Sequence, residues 1–116
     1  MMNGQEFATA VQYGLPIIVV IMDNGTYGTI RMHQEREYPT RVVGTDLRNP
    51  DFAAYARAFG GFGATVEKTA DFAKAFEEAE KSGMPSIIHV KVATDALTPG
   101  ASLETIRARA LANPKN

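Results

Sequence analysis

The amino-acid sequence predicts an α/β fold, a parallel sheet with helices on both faces in a three-layer αβα arrangement. Three observations carry that prediction. Leu15–Met22 is an uninterrupted apolar run rich in β-branched residues, the composition of a strand buried on both faces. Two further apolar runs, Ala64–Val66 and Pro85–Val92, lie downstream. Between them apolar residues recur at three- and four-residue intervals, the spacing of helices. Strands alternating with helices call for right-handed crossovers and a parallel sheet. With about three strands the sheet is small, so the domain is a partial one.

Taken in order, Asn3–Tyr13 is the first helix, with Phe7, Ala10, Val11 and Gly14 near helical spacing. Asn3 is its expected N-cap and Gly14 its stop. Leu15–Met22 is the first strand. Asp23–Gly28 is a turn at that strand's carboxyl end, and a short helix follows from about Tyr27 to Glu37, closed by Pro39. Tyr38–Asn49 is polar and has no period, which marks a surface loop. Pro50-Asp51 opens a helix through Phe59 with Phe52, Tyr55, Ala56 and Phe59 on one face. Gly60-Gly61-Phe62-Gly63 breaks that helix and leads into the strand Ala64–Val66. This glycine cluster precedes a strand instead of following one, so it lacks the setting of a dinucleotide loop. Thr69–Lys81 carries Phe72, Ala75, Phe76 and Ala79 on one face and ends at Ser82-Gly83. Pro85–Val92 is the third strand, Ala93–Gly100 a linker and Leu103–Leu111 the last helix, running into a frayed tail at 113–116. Phe52, Tyr55, Phe59, Phe62, Phe72 and Phe76 are expected to supply much of the core.

Residues 1–116 are expected to form one domain, truncated at its N-terminus, because the chain enters its first helix with no strand before it. Twelve basic against thirteen acidic residues give a net charge of −1, which predicts no steering toward nucleic acid or anionic membrane. No cysteine is present, so disulfides, thiolate chemistry and cysteine-bound zinc are excluded. The longest apolar stretch has eight residues, far short of a bilayer span. A soluble, cytoplasmic protein is expected, with no nucleic acid and no membrane among its partners.

In open α/β sheets ligands bind outside the carboxyl ends of the strands, and Asp23-Asn24-Gly25-Thr26-Tyr27-Gly28 lies there. Asn24 offers a side-chain carbonyl oxygen and Thr26 a backbone carbonyl, while the glycines let the backbone curl. Magnesium takes oxygen ligands in an octahedron, commonly shared with phosphate. On residue types alone, the same six residues also describe a plain strand-to-helix turn.

Asn3-Gly4-Gln5-Glu6-Phe7-Ala8-Thr9-Ala10, Tyr13-Gly14-Leu15-Pro16 and Asp23–Gly28 together resemble the pyrophosphate-binding domain of thiamine-diphosphate enzymes, in the flavour of the acetolactate synthase-like group. Benzoylformate and pyruvate decarboxylases are similar. The similarity runs through Arg31–Tyr38, Asp51–Gly63 and Ile87–Val92. It implies the thiamine-diphosphate-binding fold, thiamine diphosphate and Mg2+ as cofactors, and a small 2-keto acid as the substrate of decarboxylation or carboligation in the complete parent. By position it implies that Asn24, Gly25, Thr26, Tyr27 and Gly28 bind the cofactor and that Asn24 and Thr26 ligate the metal. Thr29 and His33 fall where related enzymes line the substrate pocket, although His33 also suits an ordinary surface helix position.

Asp23 takes the first place of the family's usual Asn pair, where its carboxylate either strengthens the site's electrostatics or caps the turn. The Gly-Asp-Gly triplet that opens the family motif is absent from these residues, which removes the main anionic anchor of the metal. Weak or absent cofactor binding follows. The activating glutamate of such enzymes comes from a separate pyrimidine-binding domain across a subunit interface. No catalytic residue is therefore assigned here, and Glu6, Glu35 and Glu37 are expected to be solvated helix charges. His89, inside an apolar strand, is expected to be a hydrogen-bonded core or edge histidine. Arg31, Arg36 and Arg41 with Tyr38 suit a solvated loop and interface better than RNA.

The resulting expectation is a fragment of an acetolactate synthase-like transferase or lyase, inactive alone. It would be a homo-oligomer or would pair with a partner chain supplying the pyrimidine-binding domain. The alternative is a non-catalytic binding or assembly module. A third reading, an unrelated flavodoxin-like domain, requires the motif match to be accidental.

Overall fold

The computed structural model describes residues 3–98 and 100–113; Pro114–Asn116 of the expected tail and Pro99 of the expected linker lie outside them. Eight elements follow in order: α1 (Glu6–Gln12), β1 (Ile18–Asp23), α2 (Gly28–Glu37), α3 (Phe52–Ala58), β2 (Phe62–Val66), α4 (Thr69–Ser82), β3 (Ser86–Lys91) and α5 (Leu103–Ala112). They fall into two compact units, one with the residues up to Asp23 and Asn49–Lys91, the other with Asn24–Arg48 and the residues from Val92 onward.

The first unit is the sheet unit. Its three strands are parallel in the order β1-β3-β2, so β3 is central. β3 is rich in β-branched residues and its first five residues, from Ser86 to Val90, lie between neighbours on both sides, with Ser86, Ile87, Ile88 and His89 buried. Because side chains alternate across a strand, Ile87 packs with Phe7, Phe52 and Ala56 of α1 and α3. Ile88 packs on the opposite face with Val66, Ala75 and Ala79. The three layers are thus built by one pair of adjacent isoleucines. Gly63 lets α3 lie close on the sheet, since a Cβ there would overlap the Ala53 carbonyl. Asp51 starts α3 by accepting from the Ala54 N–H at 3.0 Å, and Gly83 ends α4 at φ 61°, as the sequence predicts.

Four expectations are corrected. The first helix begins at Glu6 with Gln5 in the N-cap position, while Asn3 sits at φ 62° and caps nothing. The first strand is not buried on both faces: β1 is an edge strand, and Val19 and Val20 are each 38% exposed. Composition reports the burial a segment is suited to, and an edge position withholds one lateral neighbour. β2 begins at Phe62, two residues before the expected start, because Gly60 and Gly61 make the break while Gly63 is itself extended and paired with Ile87. The aromatic share of the core is corrected at one residue: Phe76 is 37% exposed, whereas Phe52 is buried and Tyr55, Phe59, Phe62 and Phe72 pack partly buried against the core as expected, beside Phe7, Ala56, Ala79, Ile87 and Ile88 in the interior.

The second unit is helical. α2 and α5 pack together, and Ser102 caps α5 by accepting from the Thr105 N–H at 3.1 Å. The 38–48 segment is irregular, as expected, yet Thr45 within it is buried. None of the helices among the described residues is long and apolar enough to cross a membrane.

Candidate functional site

The turn that follows β1 belongs to the second unit. Asn24 folds its side chain over it, its Oδ1 accepting from the Thr26 N–H at 3.2 Å, an Asx turn. The Asn24 backbone carbonyl accepts from Thr94 Oγ1 at 2.9 Å. Gly25 turns the chain at φ 67°, a conformation that suits glycine. Thr26 is buried and forms an isolated antiparallel bridge with Asp46. The flanking bonds run from Tyr27 N to Thr45 O at 2.8 Å and from Leu47 N to Gly25 O at 2.9 Å. The Thr26 hydroxyl also donates to Thr45 O, at 2.7 Å. Among the described residues no donor reaches the Thr26 carbonyl.

Tyr27 is the N-cap residue of α2 and Gly28 its first residue. A Cβ on Gly28 would come 2.7 Å from Leu97 Cδ2 and 2.9 Å from Asn24 Nδ2. Only glycine therefore lets the Asn24 amide pack against the start of the helix. The turn brings together two hard oxygen atoms of the kind magnesium prefers, Asn24 Oδ1 and the Thr26 carbonyl. Among the described residues no group of three or more His, Asp or Glu is arranged to hold a metal. The donor set thus fits a magnesium ion whose remaining ligands are phosphate or other oxygens from elsewhere.

Thr29 and His33 lie on exposed positions of α2. Arg36 Nη2 donates to His33 Nδ1 at 2.5 Å; a guanidinium has no acceptor, so Nδ1 carries no proton and the other nitrogen, Nε2, holds it. The basic cluster is largely neutralised: Arg31 faces Glu35 and Asp46 at 3.7 Å each, Arg36 pairs with Glu37, and Arg41 lies over the Tyr38 ring.

Glu35 overturns the expectation of a solvated charge. It is completely buried and receives both a 2.8 Å bond from Arg107 Nε and a second, shorter one from Arg107 Nη2. The Thr40 N–H adds a third at 3.2 Å. The Arg107 hydrogen bond above all, with the Thr40 N–H and the charges of Arg107 and Arg31, holds the Glu35 carboxyl below its ordinary value against the opposing cost of burial. Spacing alone suggests only a surface Arg31–Glu35 pair at i and i+4; the partner 72 residues away leaves no local trace.

Asp23 ends β1 in the first unit. Its Oδ1 accepts from Asn49 Nδ2 at 2.7 Å, and its Oδ2 from Lys91 Nζ at 2.7 Å and His89 Nε2 at 2.8 Å. His89 Nδ1 accepts from the Phe52 N–H at 3.3 Å, so the ring is a satisfied core histidine, as expected. A carboxylate closing an apolar strand is a signal that a buried polar partner waits on a neighbouring strand.

Residues 1–90 match the C-terminal TPP-binding domain of thiamine pyrophosphate enzymes, and the chain belongs to that family. It is 38% identical over 94 residues to the acetolactate synthase large subunit of Parasynechococcus marenigrum, covering 79% of this chain and 15% of that protein. Over 93 residues it is 33% identical to acetolactate synthase isozyme 2 large subunit of Escherichia coli, covering 79% and 17%. A solved structure, benzoylformate decarboxylase from Polynucleobacter necessarius, superposes with a TM-score of 0.69 at 30% identity, covering 82% of this chain and 18% of that one. The chain therefore spans about a sixth of the length of the curated relatives it matches. The parallel three-stranded sheet is accordingly a partial αβα domain of the thiamine-diphosphate-binding fold, and α5 lies beyond the matched residues.

Proposed function

We propose that the Asn24–Gly28 turn is a half-site for magnesium and the diphosphate of thiamine diphosphate. The observation that carries this reading is the pair of oxygens at one turn, Asn24 Oδ1 and a Thr26 carbonyl that no donor among the described residues uses, in a chain of a thiamine pyrophosphate-binding family. Asn24 and Thr26 hold the metal, Gly25 turns the chain between them, Gly28 leaves space for the Asn24 amide, and Tyr27 N–H and its neighbours keep the turn in shape. Thiamine diphosphate, when bound, supplies the nucleophilic carbon for decarboxylation or carboligation of a 2-keto acid. Thr29 and His33 face that substrate from α2, with the His33 Nε2–H offered as a hydrogen-bond donor to its carboxylate or carbonyl oxygen.

The complete assembly is a transferase or lyase of the acetolactate synthase-like type, a cytoplasmic homo-oligomer or a complex with a chain that carries a pyrimidine-binding domain. The 116-residue polypeptide alone binds the cofactor weakly and does not turn over. A second reading, a non-catalytic assembly module, is favoured by one feature: Val19, Val20 and Met22 on the edge strand β1, with Leu15 and Ile17 just before it, are exposed, a surface that suits association.

Calorimetric titration of thiamine diphosphate into the purified chain, with and without Mg2+, tests the proposal. Weak, magnesium-dependent binding lost on Asn24→Ala is expected. Heat that is indifferent to both magnesium and Asn24 would sink the half-site and leave the assembly reading. Carboligase activity from the isolated chain would contradict its inactivity.

A further inference from the structure

We propose that the Thr26 hydroxyl is a positioning group that aims the Thr26 carbonyl at the cation, with the Thr45 carbonyl as its anchor. The inference rests on the half-site reading and adds a role for a side chain and for a loop residue that the reading does not need.

A backbone carbonyl has no torsion of its own, so its direction as a ligand is set by the peptide plane it belongs to. In the plane joining Thr26 to Tyr27, the carbonyl and the Tyr27 N–H point opposite ways, because the peptide is trans. That N–H points at Thr45 O, 2.8 Å away. The Thr26 carbonyl therefore points away from the 45–47 segment. The Thr26 hydroxyl reaches the same Thr45 oxygen at 2.7 Å, so both lone pairs of one carbonyl are engaged. The two bonds lie one on each side of the Thr26 carbonyl carbon, and together they fix the plane against rotation. The Thr26 N–H is held separately by Asn24 Oδ1. Among the described residues every polar atom of Thr26 except its carbonyl is thus tied, and Thr26 and Thr45 are 5% and 1% exposed. A buried clamp that fixes the residue on the 45–47 side and leaves the carbonyl oxygen pointing away from it is an arrangement suited to presenting that oxygen.

The anchor is itself braced. Gln34 makes a two-way bond with the Val43 backbone, at 2.9 Å and 3.1 Å, and Arg31 faces Asp46. α2, which begins two residues after Thr26, therefore holds the loop that holds the turn.

Thr26→Val keeps the branched shape and removes the donor, whereas Thr26→Ser keeps the donor. Each is titrated with thiamine diphosphate by NMR, with and without Mg2+, with circular dichroism recording the fold. The expected result is a magnesium-dependent affinity about tenfold weaker in Thr26→Val and restored in Thr26→Ser. In the wild-type chain the Thr26 carbonyl 13C signal should shift on adding Mg2+ with thiamine diphosphate, an arm that holds even if Thr26→Val does not fold. Wild-type affinity in a folded Thr26→Val variant, or no rescue by a folded Thr26→Ser, overturns the positioning role and leaves the half-site intact. No magnesium-dependent binding by the wild type overturns both.

Discussion

The buried Glu35 cluster yields the sharpest stability prediction. Glu35→Ala removes the acceptor of two Arg107 bonds and of the Thr40 N–H. It also strips the buried Arg31 Nε, which has no hydrogen-bond partner among the described residues, of the carboxylate charge 3.7 Å away. Removing one partner of a fully buried pair costs about 3–5 kcal/mol. Arg107 is 36% exposed in its side chain and recovers part of its hydration, which puts the expected loss near the lower end, about 3 kcal/mol. Against a total of about 5–15 kcal/mol for a domain of this size, that is a large fraction, read directly by urea unfolding at pH 7.

The pH dependence gives an independent check. The folded carboxyl lies below its ordinary value of 4.5, so its contribution is fully present above that value and is lost as pH falls through the folded one. Stability of the wild-type chain should therefore decline on acidification below about pH 4.5 more steeply than that of Glu35→Ala. A variant within about 0.5 kcal/mol of wild type, with an unchanged pH slope, would refute the view that α5 is held by this pair.

Further perturbations separate folding from binding. Gly28→Ala places a Cβ 2.9 Å from Asn24 Nδ2 and 2.7 Å from Leu97 Cδ2; both neighbours are side-chain ends, so the protein should fold while its magnesium-dependent cofactor binding, measured by calorimetry, falls about tenfold or more. Ile88→Ala empties a fully buried position on the central strand and should cost about 3–4 kcal/mol in denaturant titration, with a cost below 1 kcal/mol contradicting a tightly packed α4 face. The exposed β1 edge should drive association at micromolar concentration, and Val19→Lys should shift sedimentation toward monomer; identical sedimentation of the two would assign any association elsewhere.

The elements that local chemistry controls were legible in the sequence. Asp51 and Gly83 announce a helix start and stop with their own side chain or backbone, and the period of Ala75 and Ala79 marks the buried face of α4. The turn was legible too, since Asn, Gly and Thr carry their conformational preferences with them. What stayed hidden depends on partners distant in sequence. The exposure of β1 follows from strand order, which composition does not encode. The burial of Glu35 needs Arg107, and the anchoring of Thr26 needs Thr45. Asn3 has N-cap chemistry, but Phe7 and Ala10 are buried by packing that starts the helix later.

The most direct test of the half-site is the place where a paramagnetic cation settles. Mn2+, which takes the same oxygen ligands as Mg2+, would be added with thiamine diphosphate to the isotope-labelled chain and the amide line widths followed. The account predicts broadening centred on Asn24 to Gly28, abolished by Asn24→Ala and reversed by excess Mg2+. Broadening centred on another part of the chain, or none that depends on the cofactor, would contradict it.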